Sequence, residues 1–290
     1  MKLVVFPHLQ QGCAPQTARK VCRSAYRNHM EIWADPETKS LFHDIPYVQY
    51  APFEEAVQDA DVAVAIGGDG TILHCAGHLV GTQTKLLGIN TGRMGFLASM
   101  ESDQVGEIAR LQTGDYRVSE RMLIRGVLRD GDGEIVDDCY ALNDIVVSRT
   151  SARVVDITVM QNGELLGQYR ADGVIFSTPT GSTAYALSAG GPIIEPEFAC
   201  IEMTLICPHA LSARPILFAP DSDLVVTCQV RGDHDVRLCA DGEHPKAFPA
   251  SHTLEISGSS ETIHMLDLSG NTFFNALSRK LMHPLKDGEA

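Results

Sequence analysis

The feature that most constrains this chain is a glycine-rich turn between a strand pattern and a helix pattern. Residues 61–66 are predicted to form a strand, whose alternating Val and Ala are typical of a parallel sheet covered on both faces. Helical spacing resumes over residues 71–80. The turn between them is Gly67-Gly68-Asp69-Gly70-Thr71. A strand, a glycine turn and a helix in this order predict an α/β sheet with a ligand site at the turn.

The turn has the chemistry of a phosphate site. Glycines permit close approach and positive φ, and the N–H groups of the turn and the helix start can donate to phosphate oxygens. Thr71 is the predicted N-cap of the helix. Asp69 would repel a phosphate unless it accepts the proton of an attacking hydroxyl or holds a metal that bridges phosphates. A plain Asp-Gly turn is the alternative, and the flanking strand and helix favour the functional interpretation.

Two further segments extend the predicted site. A strand over residues 85–90 leads into a second glycine turn, in which Asn90 and Arg93 are candidate phosphate ligands. Because ligands of open α/β sheets bind at the carboxyl ends of strands, we expect both turns at one edge of the sheet. The segment 172–192 is dense in hydroxyl groups and small residues, which suit a purine and its ribose. A Ser/Thr-rich surface loop is the alternative for that segment.

The predicted fold class is α/β plus all-β. Residues 1–114 are expected to form a doubly wound α/β domain, with a first strand over 2–6 and a helix over 17–28. Residues 115–270 are expected to form a β-sandwich-like domain, because short runs rich in Val, Ile and Thr alternate with turn pairs. These pairs are Asp132-Gly133, Asn162-Gly163 and Asp241-Gly242. The predicted strands of this domain lie at 122–129, 145–148, 154–160, 174–177 and 224–230, and a helix is predicted over 273–285.

Composition narrows the class of protein. The formal net charge is −14, so neither nucleic acid nor an anionic membrane is an expected partner. No apolar stretch is long enough to span a bilayer, and no signal peptide is recognised. The eight cysteines contain no CxxC pair, which favours a reduced, cytoplasmic protein.

Three other constellations carry little weight. His74 and His78 have metal-ligand spacing, but no HExxH arrangement and no third ligand accompany them. Ser182 and Ser188 lack a G-x-S-x-G elbow. The acidic residues of segment 130–138 lack calcium-loop spacing and indicate a solvated hairpin. No protein metal site is therefore predicted.

Taken together, these motifs resemble those of the NAD kinase family. The resemblance rests on the first glycine turn and on further segments in the family's order, which end near residue 281. Those segments are Asn90-Thr91-Gly92 with Gly95-Phe96-Leu97, Asn143-Asp144, Asp172-Gly173 leading into 178–192, His209-Ala210-Leu211-Ser212 with Arg214-Pro215, Asp241-Gly242, and Arg279-Lys280-Leu281.

The resemblance implies an enzyme that transfers the γ-phosphate of ATP to the adenosine ribose 2′-hydroxyl of NAD, with Mg²⁺ or another divalent cation accompanying ATP. It implies a two-domain subunit in which residues 271–290 return to the first domain. It also implies homodimers or homotetramers in which neighbouring subunits complete the dinucleotide site. NAD and ATP are the expected small-molecule partners.

The resemblance also assigns roles to residues. Asp69 corresponds to the catalytic carboxylate, and Gly67, Gly68, Gly70 and Thr71 shape the phosphate region. The NAD-binding set is Asn143, Asp144, Arg170, Asp172, Thr180, Thr183, Ala184 and Tyr185. Asp144 stands where most members carry Glu, so a water could bridge it to a ribose. Arg170 is similar to the arginine of members that prefer ATP to polyphosphate, and His209, Ser212 and Arg214 are expected to stabilise the domain or the oligomer.

Two rival functions remain open at this point. A lipid kinase of the diacylglycerol kinase type also uses a Gly-Gly-Asp-Gly turn with an α/β and a β-rich domain, but it calls for a basic or apolar membrane-facing surface. A non-catalytic NAD-binding regulator would not need Asp69 beside the phosphate turn. A sugar phosphate kinase of the phosphofructokinase type fits the turn but not the second half.

Overall fold

The computed structural model describes residues 1–92, 95–229, 235–268, 270 and 273–278. The chain forms two compact units: unit 1 is Met1–Glu120 with Ile263–Ala290, and unit 2 is Arg121–Thr262. The sequence-based boundaries fall nearby, after residues 114 and 270. Each unit has its own hydrophobic core, and one 12-stranded sheet contains strands of both units through the pairing of strand Thr253–Asp267 with strand Lys85–Asn90.

Unit 1 is built on a parallel sheet. Its strands are β1 (Lys2–Pro7), β2 (Glu31–Ala34), β3 (Val48–Tyr50), β4 (Val62–Gly67), β5 (Lys85–Asn90) and β6 (Met100–Glu101). They lie in the order β3-β2-β1-β4-β5, with β6 beside β5, and every adjacent pair is parallel. All six residues of β4 are buried, as expected for a central strand covered on both faces.

Helices cover both faces of this sheet. They are α1 (Ala14–Arg27), α2 (Phe53–Ala56), α3 (Asp69–Gly77) and α4 (Arg110–Thr113), with 3₁₀ helices at Pro36–Ser40, Val57–Asp59 and Val105–Ala109. Ala18 and Val21 of α1 join a core with Val64 of β4. On the other face, Ile72 of α3 fills the space above Gly88 of β5, where a Cβ would collide with it. The predicted doubly wound α/β architecture is confirmed.

Unit 2 consists of antiparallel strands. They are β7 (Arg117–Arg129), β8 (Ile135–Ala141), β9 (Asp144–Arg149), β10 (Val155–Gln161), β11 (Glu164–Ala171), β12 (Gly173–Ser177), β13 (Ile201–Ile206), β14 (Ile216–Phe218), β15 (Leu224–Gln229), β16 (Val236–Ala240), β17 (Glu243–Ala247) and β18 (Thr253–Asp267). One sheet has the order β14-β13-β12-β9-β16-β17; in the other, β11-β10-β15-β18 continues into the hairpin of β7 and β8. Strands β7 and β18 contribute residues to both units.

The two sheets of unit 2 enclose one core. Val147 of β9 and Phe176 of β12 pack with Val159 of β10 and Val226 of β15 in a single buried cluster. Alternate residues of most strands face this core, which is the pattern of a β-sandwich, whereas all of β17 is exposed. The predicted β-rich second domain is confirmed.

Two of the predicted hairpin turns have the backbone that a tight turn requires. Asn162 and Gly163 join β10 to β11 with φ of 50° and 83°, and Asp241 and Gly242 join β16 to β17 with φ of 49° and 76°. Two successive positive φ angles define a type I′ turn, which matches the twist of paired strands. The remaining helices are α5 (Tyr185–Ser188), after the 3₁₀ helix Gly181–Thr183, and α6 (Phe273–Leu277). The predicted helix 273–285 continues outside the described residues.

Candidate active site

Two glycine turns meet at the carboxyl end of the parallel sheet in unit 1. Strands β4 and β5 end side by side, with Gly67 opposite Asn90 in the register. The N–H of Thr91 donates to the carbonyl of Gly67 at 3.1 Å and joins the two turns. The expectation that both turns lie at one edge of the sheet is confirmed.

Helix α3 begins inside the first turn, earlier than the sequence predicts. Gly68 is the N-cap, in an extended conformation with φ −92° and ψ −177°, and Asp69 is the first helical residue. The prediction of Thr71 as N-cap is therefore wrong. Thr71 is buried in the first helical turn, and its side chain fills the space that a Cβ on Gly67 would need. Gly67, Gly68 and Gly70 all lack a positive φ, so a left-handed backbone is not the reason for glycine at these positions. Close packing and an accessible backbone explain them better.

The second glycine turn fixes the carboxylate of Asp69. The N–H of Phe96 donates to Oδ2 at 2.8 Å, and the N–H of Leu97 donates to Oδ1 at 3.3 Å. Gly95 lies against the same carboxylate, and a Cβ at this position would overlap it. Asp69 is half-buried, so its carboxylate has a defined position and still reaches solvent.

Asn90 holds the second turn together. Its Nδ2 donates to Oε2 of Glu101 at 2.8 Å and to the carbonyl of Gly92 at 3.3 Å. Its Oδ1 accepts the N–H of Gly92 at 3.2 Å. Both polar atoms of this buried side chain therefore bind protein groups. Asn90 has no free polar atom for the phosphate contact that the sequence predicts. Arg93 lies outside the described residues.

In unit 2, Asp241 organises the segment that contains Asn143 and Asp144. Its Oδ2 accepts the N–H of Leu142 at 2.7 Å, and its Oδ1 accepts the N–H groups of Asn143 at 2.7 Å and Asp144 at 3.1 Å. The N–H of Asp241 in turn donates to the carbonyl of Asp144 at 2.9 Å. The β16–β17 turn is thereby fastened to the start of β9.

Asp144 and Asp241 are a pair of neighbouring acids with raised pKa values. Burial, and then the negative charge of Asp241, raise the pKa of Asp144 to about 7. Burial raises the pKa of Asp241 to about 6, against the lowering effect of its three N–H donors. Asp144 therefore carries a proton for part of the time near neutral pH and can donate a hydrogen bond as well as accept one.

Asn143 connects this pair to the hydroxyl-rich segment. Its carbonyl accepts the N–H of Thr178 at 2.8 Å, and a Cβ on Gly181 would overlap that carbonyl. The side-chain Oδ1 of Asn143 is buried and accepts no hydrogen bond from the described protein residues. A buried amide oxygen without a donor is unusual in a folded protein, where such atoms are normally paired with protein or ordered water.

Several hydroxyl groups of segment 172–192 form hydrogen bonds within the protein. The hydroxyl of Ser177 donates to the carbonyl of Thr178 at 2.9 Å. Ser182 donates to the carbonyl of Pro179 at 2.8 Å and accepts the N–H of Ile194 at 3.0 Å. These hydroxyls are buried, so they stabilise the loop and are closed to a ligand.

The four predicted NAD-binding residues of this segment differ in access. Thr180 is buried, and its hydroxyl accepts from Nη1 of Arg121 at 3.4 Å. Thr183 is half-buried and donates to the carbonyl of Thr180 at 3.4 Å. Ala184 separates the 3₁₀ helix from α5, with φ −99° and ψ −123°, and Tyr185 is 45% exposed. Thr183, Ala184 and Tyr185 therefore offer the accessible surface.

Asp172 lies at the other end of β12, and Arg170, two residues earlier in the chain, belongs to β11 of the other sheet. In the register of β9 and β12, Ser177 pairs with Asp144 and Gly173 with Ser148, so Asp172 is about 16 Å along the strand from the Asn143 end. Asp172 is held by Arg149, with Nε–Oδ1 2.7 Å and Nη2–Oδ2 2.8 Å.

Arg170 is exposed and pairs across the strands with Asp156 at 2.8 Å, and its carbonyl accepts the N–H of His209 at 2.9 Å. One chain therefore places Arg170, Asp172 and His209 near the start of β12 and Asn143, Asp144 and Thr180 near its end.

Other predicted features fall outside these two sites. His74 and His78 pack edge to face with ring centroids 5.0 Å apart. Over the described part of the chain, no three or more His, Cys, Asp or Glu side chains are grouped to hold a metal ion. The same residues contain no helix that is long and apolar enough to cross a membrane.

Comparisons with known proteins decide the family. The ATP-NAD kinase N-terminal domain family matches residues 11–116, and the ATP-NAD kinase C-terminal domain family matches residues 142–268. The NAD kinase of Gemmatimonas aurantiaca is 39% identical over 232 residues, which cover 79% of this chain and 80% of the relative. The NAD kinase of Symbiobacterium thermophilum is 39% identical over 234 residues, which cover 80% and 82%. This chain belongs to the NAD kinase family.

Solved structures agree with the NAD kinase fold. The structure of an NAD kinase from Archaeoglobus fulgidus in complex with ATP is 25% identical and covers 96% of this chain and 99% of its own, with a TM-score of 0.75. The structure of yeast NADH kinase complexed with NADH has a TM-score of 0.88 at 23% identity, covering 100% of this chain and 89% of its own. The resemblance inferred from the motifs is confirmed.

Three residues of the NAD kinase candidate site make contacts that the sequence does not predict. Gly95 gives the carboxylate of Asp69 its space, Asp241 binds three N–H groups before β9, and Arg149 pairs with Asp172. Asp241 and Gly95 lie in segments that carry the family resemblance, so the motifs mark them without showing their contacts. Arg149 has no sequence signal, because it reaches Asp172 only through the antiparallel pairing of β9 and β12.

Proposed function

We propose that this chain is an ATP-dependent NAD kinase, which transfers the γ-phosphate of ATP to the adenosine ribose 2′-hydroxyl of NAD and produces NADP. The observation that carries the proposal is the carboxylate of Asp69. It stands at the first residue of α3, beside exposed glycine backbone, and the N–H groups of Phe96 and Leu97 hold both its oxygens. A fixed carboxylate beside phosphate-binding backbone is suited to phosphoryl transfer, and a protein that only binds the dinucleotide would not need one beside the phosphate turn.

Asp69 is the proposed catalytic residue. It orients the 2′-hydroxyl and accepts its proton late in the transfer, while the N–H groups at the start of α3 bind phosphate oxygens with the help of the helix dipole. Gly67, Gly68, Gly70 and Thr71 shape this region. Asn90 acts by holding the second turn in place, since its side chain is engaged with Gly92 and Glu101.

Mg²⁺ or another divalent cation is the proposed companion of ATP. The fit rests on the donor set: the polar side chains of this turn include one well-placed carboxylate, Asp69, and no three-residue metal cluster occurs among the described residues. Mg²⁺ is commonly held by one or two carboxylates together with substrate phosphates, so the cation would enter with the nucleotide. When bound, it supplies neutralisation of phosphate charge.

The proposed NAD-binding residues fall into two groups, one near each end of β12. Asn143, with its unpaired Oδ1, and Asp144 face the riboses, and Thr180, Thr183, Ala184 and Tyr185 line the site beside them. Arg170 and Asp172 would act from the other end. Their separation within one chain supports a homodimer or homotetramer in which a second copy completes the dinucleotide site.

A cytoplasmic location is also proposed. None of the eight cysteines forms a disulfide, which suits a reducing compartment.

The experiment that tests the function is a coupled assay with purified protein, NAD, ATP and Mg²⁺, in which an NADP-specific dehydrogenase reports the product. We expect NADP to form only when all three components are present. Protein that binds NAD in a calorimeter but forms no NADP under any of these conditions would instead be a non-catalytic regulator.

A further inference from the structure

Glu202 of β13 is a buried acid that the proposed mechanism does not use. Its side chain is 0% exposed. Its Oε1 accepts the hydroxyl of Thr204 at 2.6 Å, and its Oε2 is buried and has no hydrogen-bond partner among the described residues. Burial raises the pKa of Glu202, and the hydrogen bond from Thr204 lowers it by less. This environment favours the neutral acid, which can donate one hydrogen bond and accept others.

The face of β13 that carries Glu202 is covered by α5. Met203 points into the core between the two sheets of unit 2, so Glu202 and Thr204, its neighbours on the strand, point to the opposite face. On that opposite face, Ala186 of α5 packs against Ile175 of β12 in a separate buried cluster. Glu202 therefore lies beneath the hydroxyl-rich segment and away from the core of the sandwich.

The turn that follows α5 lies against the carboxyl group of Glu202. A Cβ on Gly191 would be 2.0 Å from Oε1 of Glu202 and 2.9 Å from the carbonyl oxygen of Ala186. The N–H of Gly191 donates to that carbonyl at 2.9 Å, and the N–H of Gly190 donates to the carbonyl of Leu187 at 3.0 Å. Gly191 has no positive φ, so glycine is needed here for space that the carboxyl group partly occupies.

We propose that Glu202 is a positioning residue for NAD binding, which holds the turn after α5 at a fixed distance from the sheet and thereby sets the position of Tyr185. The inference rests on the proposed function, in which Thr183, Ala184 and Tyr185 offer the accessible surface for the dinucleotide. Tyr185 is the first residue of α5 and is 45% exposed. Its carbonyl accepts the N–H of Ala189 at 3.0 Å within the same turn.

The strand register places Glu202 at the same end of the sheet as the Asn143 group. Glu202 pairs with Ser177 of β12, and Ser177 pairs with Asp144 of β9, so the three residues lie in one row across neighbouring strands. Two strand spacings separate the backbones of Glu202 and Asp144 by about 10 Å. Because Glu202 is fully buried, it acts on this site through the turn and contacts no ligand itself.

An apolar side chain would serve the fold at this position at least as well. The buried carboxyl group has lost its water, and among the described residues the hydroxyl of Thr204 is its one hydrogen-bond partner. Replacement of a poorly compensated buried polar group by an apolar group of similar shape is often neutral or stabilising. The contribution of Glu202 is therefore expected in NAD binding and not in stability.

The test compares Glu202→Val with Met203→Val and with Glu202→Gln. The two valine variants receive the same residue at adjacent positions of β13, on opposite faces, and Glu202→Gln keeps the shape and the acceptor oxygen. We expect Glu202→Val to raise the KM for NAD about tenfold, the size of one lost ordered contact, with kcat and the KM for ATP unchanged. Met203→Val and Glu202→Gln should keep the wild-type KM for NAD.

Hydrogen exchange in the absence of NAD supplies a readout that needs no turnover. The amides of Ala189, Gly190 and Gly191 close the turn over Glu202. They should exchange about tenfold faster in Glu202→Val than in Met203→Val, because the turn has lost its support. The Tm of Glu202→Val should not lie below that of Met203→Val. If the wild-type protein binds no NAD, the proposed function fails, and the exchange rates still test the contact between Glu202 and the turn.

Four outcomes would overturn the inference. An unchanged KM for NAD in Glu202→Val would show that Glu202 serves the fold alone. Equal rises in the KM for NAD and the KM for ATP would indicate general damage to the protein. Unchanged exchange of the turn amides would remove the link between Glu202 and Tyr185. An equal rise in the KM for NAD in Glu202→Gln and Glu202→Val would show that the site needs an ionised carboxylate and not the neutral acid.

Discussion

The N–H of Phe96 donates a hydrogen bond of 2.8 Å to Oδ2 of Asp69, and so links the two glycine turns of unit 1. The contact joins residues 27 positions apart in the chain. A backbone donor cannot rotate away as a side chain can. The position of the proposed catalytic carboxylate therefore depends on the conformation of the second turn.

Substitution of Gly95 tests this dependence. In Gly95→Ala the new Cβ would overlap the carboxylate of Asp69, which must move. We expect kcat to fall by about 10²-fold, since small displacements of catalytic groups have effects of this size. The control is Gly77→Ala at the end of α3, where a Cβ meets nothing within 4 Å. Steady-state kinetics of the two variants should differ sharply, and equal activity would contradict the account.

The sequence predicts three strands of unit 1, β1, β4 and β5, because their signal is local, and it misses the short strands β2, β3 and β6. Strand β5 has the predicted bounds, and β4 is displaced by one residue, since buried parallel strands are continuous apolar runs. The start of α3 was missed by two residues. Asp69 and Gly70 have weak helix propensity, and only the extended Gly68 shows where the helix begins.

Asp241 should be essential for the stability of unit 2. Asp241→Ala leaves the N–H groups of Leu142, Asn143 and Asp144 without their acceptor and places Ala at a φ of 49°. We expect a loss of roughly 3 kcal/mol in the free energy of unfolding, measured by urea denaturation. Asp241→Asn keeps one oxygen and tolerates the left-handed backbone, so its loss should be clearly smaller. A larger loss of unfolding free energy in Asp241→Asn than in Asp241→Ala would refute this role.

Asp144 should make stability depend on pH. Its pKa of about 7 in the folded state lies above the ordinary value near 3.9, so the folded protein binds the extra proton between these limits. Its contribution to stability is therefore complete below about pH 4 and is lost as the pH rises to about 7. The unfolding free energy of Asp144→Asn minus that of wild type should therefore be on the order of 2 kcal/mol larger at pH 8 than at pH 5.

Urea denaturation at both pH values measures this difference, with the exposed Asp221→Asn as control. A variant that tracks wild type at every pH would show that Asp144 ionises as an ordinary acid. The pair with Asp241 was not foreseeable from sequence, because it forms only when the β16–β17 turn reaches the start of β9. The sequence located Asn143 and Asp144 through the family motif, but the contacts that position them are nonlocal.

Removal of the divalent cation should stop the reaction without changing the protein. If Mg²⁺ enters with ATP, chelation by EDTA abolishes NADP formation and excess Mg²⁺ restores it. The Tm of the nucleotide-free protein should be the same with and without EDTA, since a cation that is not resident cannot stabilise the fold. A clear fall in Tm upon chelation would reveal a resident metal instead.

The most direct test of the central claim is the kcat of Asp69→Asn for NADP formation from NAD and Mg²⁺-ATP. The substitution keeps the size of the side chain but removes its ability to take a proton, and general-base assistance is typically worth ~10²–10⁴-fold. We expect a loss of kcat in that range, with far-UV circular dichroism and NAD binding unchanged and with the exposed Asp103→Asn fully active. An Asp69→Asn protein that retained more than about half of the wild-type kcat would contradict the assignment of Asp69 as the catalytic base.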